Sequence, residues 1–221
     1  MGLDRSRVGL PKAGFTLVLA LQFVLLFWLV ASDRGRDQYV LLDLTSIVIP
    51  LTAIAVTDRK RERRIALALA VVAVALNGSS LSGYRPFLRE LGPGVSVVFS
   101  VYTTFLLLSG VVRSRRVTGD VLAGALAAYI MAGFAFGVAF GVVEGRLPGA
   151  FQAAGGGPVS FPDLVYLSFV TLLTIGFGDL TPVAPPARAL VLFEGLFGVV
   201  YTTIVMASLV AGYLRHRERA D

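Results

Sequence analysis

Long apolar stretches separated by short basic or turn-rich segments set the pattern of this chain. Six reach the roughly 17–25 residues that a helix needs to cross a bilayer core: 14–32, 39–57, 65–81, 95–112, 119–143 and 187–213. Each predicts a transmembrane helix, because a helix satisfies its backbone polar groups within one segment. A seventh apolar run, 161–173, is too short to span. It opens with "SFPD", which offers Ser160 as an N-cap, Pro162 in the first turn and Asp163 three residues past the cap. The pattern predicts a short helix that enters the membrane from outside and stops near Thr174, since Gly176 and Gly178 oppose helix. The expected fold class is therefore an all-α membrane protein. It has six transmembrane helices, with a re-entrant segment between the fifth and sixth.

Composition agrees. Of 221 residues, 56% are hydrophobic and 15% charged, and the mean hydropathy of +0.78 lies far from that of a soluble domain. The chain has no cysteine, which excludes disulfides and thiolate-bound metals. Its formal charge of +6 is spread over short clusters between apolar runs, so nucleic acid is not an expected partner. Segments 1–13, 58–64, 113–118 and 214–221 hold 14 of the 20 Lys and Arg, against 6 in the alternate set. That asymmetry predicts a multi-pass protein of the cell membrane with both termini cytoplasmic. The first run follows Arg5, Arg7 and Lys12 as a signal peptide would. It is long, however, contains Trp28 and ends on the poor exit Leu29-Val30-Ala31, so it is read as a retained helix.

The basic joint "VVRSRRVTGD" (111–120) divides the chain into a four-helix unit, 1–116, and a second unit, 117–221. In the second, "GRLPGAFQAAGGGPVS" (145–160) reads as an exposed loop. Its Gly155-Gly156-Gly157 lacks the Lys-Ser/Thr of a phosphate loop and reads as a turn. The stretch "TLLTIGFGDLTP" (171–182) is helix-hostile at membrane depth, where irregular backbone survives only inside protein or along a watery path. Glycine at every second position lets successive carbonyls aim one way rather than alternate. Thr174, Ile175, Gly176 and Phe177 would present a ladder of neutral oxygens, with the Thr174 hydroxyl as its lowest rung, suited to a dehydrated monovalent cation. Ile175 and Phe177 would turn back against the short helix. One strand cannot encircle an ion, so four chains about a shared axis are expected, each with the negative end of its short helix toward the cavity.

These residues resemble the signature of the potassium-channel pore-loop family, usually written TVGYGD. Thr174, Ile175, Gly176, Phe177, Gly178 and Asp179 match it position by position, and the likeness extends over about the last hundred residues. The resemblance implies a homotetrameric, potassium-selective channel in which Thr174 to Gly178 bind dehydrated K+. It assigns 119–143 as outer helix, 161–173 as pore helix, 174–178 as filter and 187–213 as inner helix. Gly198, twenty residues after Gly178, falls where the family often has a hinge glycine; close helix packing is the alternative. The same alignment places Val199, Thr202 and Met206 on the cavity, with Val210 nearer its cytoplasmic mouth. Where the family often has pore-helix tryptophans that hold the filter aspartate, this chain has Tyr166 and Leu167, and Phe177 lacks a tyrosine hydroxyl.

Glu194 is an acid within the last helix. It either braces the filter from behind together with Asp179 or senses protons. Gly133, Gly137 and Gly141 form a small-residue stripe that predicts close contact with the sixth helix or with the four-helix unit. No helix carries the repeated arginines of a voltage sensor. Arg113, Arg115 and Arg116 read as interfacial anchors, and His216 as solvated. Two rival functions share parts of this pattern. A nonselective cation channel would have the same architecture with an altered filter. A GxGD-type intramembrane aspartyl protease would use Asp179 with a second acid such as Asp43. Proteolysis leaves the Thr-Ile before the glycines unexplained, a purely structural scaffold leaves the glycine-aromatic-glycine spacing without a cause, and the expectation is a channel, not an enzyme.

Overall fold

The computed structural model describes residues 14–31, 60–79, 86–114 and 117–217. The expected crossing at 39–57, with Asp43 and the nearby Asp33 and Asp37, lies outside the described residues. Described helices are α1 (Gly14–Ala31), α2 (Lys60–Ser79), α3 (Pro86–Arg113), α4 (Gly119–Arg146), α5 (Phe161–Leu172), α6 (Pro185–Val200) and α7 (Ala207–Arg217). A π-helical stretch, Tyr201–Met206, joins α6 to α7 without a break. Two short strands, β1 (Phe151–Ala153) and β2 (Leu180–Pro182), pair antiparallel.

Among the described residues three helical stretches are long and apolar enough to cross a membrane: Gly94–Arg113, Gly119–Arg146 and Pro185–Arg215. The apolar parts of α1 and α2, Phe15–Leu29 and Arg64–Ala73, are shorter. In α2 the charged run Lys60 to Arg64 occupies the first turns. Helix α3 starts well before its expected boundary, with Pro86 in its first turn, where a missing N–H leaves no bond unmade.

Helix α4 is the hub. Thr118 caps it by accepting the Val121 N–H at 3.4 Å. Asp120 in its first turn accepts the Thr16 N–H at 3.2 Å and the Thr16 hydroxyl at 3.1 Å, which fastens α1 to the start of α4. Phe15 fills the notch at Gly124, where an added Cβ would lie 2.6 Å from its ring. One continuous core then runs from Phe15, Val18, Leu25 and Leu29 of α1 through Phe99 and Leu107 of α3 to Met131 and Phe134 of α4 and Val165 of α5.

The glycine stripe on α4 receives neither expected partner. The short helix α5 lies in it, antiparallel. A Cβ at Gly133 would meet the Phe169 ring at 2.7 Å. One at Gly137 would lie 2.8 Å from Val165 Cγ2 and 3.0 Å from its Cα, and one at Gly141 would lie 3.5 Å from Phe161. Partners fall by four as the glycines rise by four, so the α5 ridge fits the groove over two turns.

The 145–160 segment is more ordered than its Gly- and Pro-rich composition suggests. Glu144 accepts the Gly149 and Phe151 N–H groups at 2.8 and 3.0 Å and folds the chain back. Ala150 and Phe151 are buried with Phe140, Leu164, Leu167, Leu180 and Ala187. The exposed parts are residues 145–149, Gln152 and the turn at Ala154–Pro158, where Gly156 and Gly157 have φ of +71° and +100°.

Candidate functional site

Helix α5 begins as its local sequence dictates. Asp163 accepts the Ser160 N–H at 2.9 Å and its hydroxyl at 2.6 Å, pinning the start of the helix. Its end is the start of the candidate filter. Leu173 N–H donates to Phe169 O at 2.9 Å, Thr174 N–H to Thr171 O at 3.0 Å and Ile175 N–H to Val170 O at 2.9 Å. The last two form a Schellman cap with Thr174 as its left-handed residue, a place usually held by glycine.

Thr174, Gly176 and Gly178 have φ of +56°, +63° and +75°. A left-handed residue at every second position reverses the peptide plane each time and points successive carbonyls the same way, which is what a ladder of oxygens requires. Two of these residues are glycines and adopt this conformation freely. Thr174 does not. A β-branched residue there stores on the order of 1–3 kcal/mol and persists only where its surroundings hold it.

Those surroundings are specific. Beyond the filter, the Asp179 carboxylate accepts the Tyr166 hydroxyl at 2.9 Å. Its carbonyl accepts the Ala154 N–H at 2.8 Å, and β2 pairs with β1. Tyr166 thus supplies the side-chain tie that the absent tryptophans left open. On the other flank the Tyr129 hydroxyl of α4 donates to Leu172 O at 2.6 Å. Gly198 of α6 packs on the same residue, where an added Cβ would lie 3.0 Å from Leu172 O. The contact is one of close packing between α6 and the end of α5.

Glu194 is wholly buried behind α5. Ser168 makes two hydrogen bonds through its hydroxyl, one to Gly133 O of α4 at 2.7 Å and one with Glu194 Oε1. A hydroxyl carries one hydrogen, so the pair of contacts closes when the Glu194 carboxyl brings a proton of its own. Three helices meet at this node. The sequence singled out Glu194 but not Ser168 or Tyr129; a serine and a tyrosine at membrane depth were the signal available.

The five expected cavity residues divide. Val199, Thr202 and Val210 are exposed, as a pore-facing position requires in a single chain. Gly198 and Met206 face inward instead: Gly198 meets Leu172, and Met206 packs near Val111, Val121, Tyr129 and Tyr201. Met206 closes the π stretch, which alters the angular step that an α-helical face assumes. Thr202 and Thr203 hydroxyls donate to Gly198 O and Val199 O at 2.9 and 2.7 Å, occupying carbonyls in the turn where the backbone pattern changes. Ile175 and Phe177 are 48% and 66% exposed, so they do not wedge against α5 of their own chain as expected.

A family model described as an ion channel matches residues 123–213, which hold the hub helix, the capped short helix, the left-handed ladder and the last helix. The likeness to ion channels spans 91 of the 221 residues. The two pore potassium channel c of Oryza sativa subsp. japonica is 35% identical over 72 residues, 33% of this chain and 16% of that protein. No solved structure matches the chain at a significant level.

Proposed function

We propose that four copies of this chain form a membrane pore that conducts K+ passively, with Thr174, Ile175, Gly176, Phe177 and Gly178 of each copy lining its filter. One observation carries this reading: residues 173–179 are exposed along their whole length in the single chain, with a backbone bent for aligned carbonyls. Such backbone cannot face lipid, so it needs other protein around a watery axis. The inner helix supports the same assembly. Its 17% burial contrasts with 67% for α4 at similar hydropathy, and Leu192, Leu196 and Ile204 are exposed. Neighbouring copies cover this face.

The runs at 14–32, 39–57 and 65–81 complete six crossings in the four-helix unit and pore unit, with 1–116 and 117–221 as the two domains. Both termini lie in the cytoplasm of a cell-membrane protein. Val199, Thr202 and Val210 line the route below the filter. Reconstituted liposomes with an outward K+ gradient should show K+ flux and little Na+ flux, and cross-linking in lipid should give a tetramer. A monomer, or Na+ passing as readily as K+, overturns the reading; the second result makes the pore a nonselective cation channel.

Glu194 and Asp179 brace the filter from behind and from its outer end. Glu194→Gln should retain flux, because the amide donates to Ser168 as the carboxyl does. Glu194→Ala leaves that node open and should lower stability by roughly 1.5–3 kcal/mol, read as thermal unfolding of the detergent-solubilised protein. If the flux of the wild type responds to pH and Glu194→Gln abolishes the response, Glu194 is a sensor instead.

A further inference from the structure

The last carbonyls of a helix lack partners within it, and each must find a donor elsewhere. At the end of α5 the accounting closes almost entirely within the turn. Phe169 O, Val170 O and Thr171 O accept from Leu173, Ile175 and Thr174. Leu172 O takes its hydrogen bond from another helix, through the Tyr129 hydroxyl at 2.6 Å. Tyr129 is buried, and its ring packs against Tyr201 at 5.1 Å between centroids. The Tyr201 hydroxyl donates to Ala125 O at 2.7 Å and makes no contact with Leu172.

We propose that Tyr129 is a positioning residue for the filter: by holding Leu172 O away from the ion path it keeps Thr174, two residues on, in its left-handed conformation. The inference rests on the K+-pore reading. Leu172 is clamped on two sides, by the Tyr129 hydroxyl and by the backbone contact at Gly198. The left-handed threonine is strained and needs such a clamp. With the hydroxyl removed, a buried carbonyl at the end of α5 has lost its donor and is free to turn toward the cavity. Thr174 then relaxes toward ordinary backbone angles, and the lowest rung of the ladder loses its geometry.

The test is K+ binding to the full chain in detergent, by calorimetric titration of potassium chloride against an N-methylglucamine background. Tyr129→Phe should bind K+ roughly three- to tenfold more weakly than wild type, the range of one lost buried hydrogen bond. Its thermal unfolding midpoint without K+ should fall no further than that of Tyr201→Phe, whereas a merely structural role would give both variants the same K+ affinity. Tyr201→Phe removes a comparable buried hydroxyl that does not touch Leu172, and should leave K+ affinity unchanged. If Tyr129→Phe gives no folded protein, 3-fluorotyrosine at position 129 changes donor strength with little change of size and should shift the same affinity. Wild-type affinity in the substituted protein, or an equal loss in Tyr201→Phe, overturns the proposal. Absence of K+ binding in the wild type instead removes the pore reading beneath it.

Discussion

Gly176→Ala is expected to abolish K+ flux in liposomes while leaving the chain folded. At φ +63° an alanine costs about 1–2 kcal/mol, because its Cβ approaches the following carbonyl. Four copies meet at one level of the proposed filter, so the ring as a whole loses roughly 4–8 kcal/mol, or several powers of ten in the population with aligned oxygens. Within the single chain no atom lies within 4 Å of the added Cβ, so the loss comes from the backbone and not from a clash. Gly195→Ala is the control. It lies on α6, where the added Cβ would make an ordinary 3.8 Å contact with Thr171 Cγ2, and flux should stay close to wild type. Near-normal flux through Gly176→Ala would mean that the left-handed ladder is not the conducting element.

The second large effect is expected in the groove beneath α5. Gly137→Ala places a Cβ 3.0 Å from Val165 Cα, a backbone atom that no rotamer change can withdraw. Overpacking of this kind costs about 1–3 kcal/mol per copy, and relief requires α5 to lift from α4. Because the Schellman cap of α5 is also the entrance to the filter, lost stability and lost flux should appear together. Gly141→Ala adds the same methyl opposite Phe161, at the far end of α5 from that cap and at an ordinary 3.5 Å, and should change stability by less than about 0.5 kcal/mol. Thermal unfolding in detergent separates the two substitutions. Equal midpoints for Gly137→Ala and Gly141→Ala would show that α5 does not sit in the groove this tightly.

What could be read in advance was what adjacent residues decide. Ser160, Pro162 and Asp163 mark the start of α5 through contacts spanning one turn, and Gly176 and Gly178 announce the alternation of the ladder. Thr174 was legible as a rung but not as a left-handed residue. Threonine avoids that conformation on its own, and only the end of α5 and its clamp impose it. The stripe at Gly133, Gly137 and Gly141 marked a close contact, yet spacing defines a face and not its occupant. The pairing of β1 with β2 joins three-residue strands almost thirty positions apart, too short to show any periodicity. Val199 and Met206 were placed on a common face by assuming a uniform α-helical step. The turn between them does not keep it.

The π-helical stretch has a consequence for how this last helix tolerates changes of length. A π turn accommodates one residue more than an α turn, so Tyr201–Met206 behaves as an insertion absorbed on the spot. Shortening the chain by one residue inside this stretch should restore plain α geometry and leave the azimuth of α7 as it is, with Gly212 still facing Val117. The same deletion within α6 has no slack to draw on. It would swing everything downstream by roughly 100° and carry Gly212 off that contact.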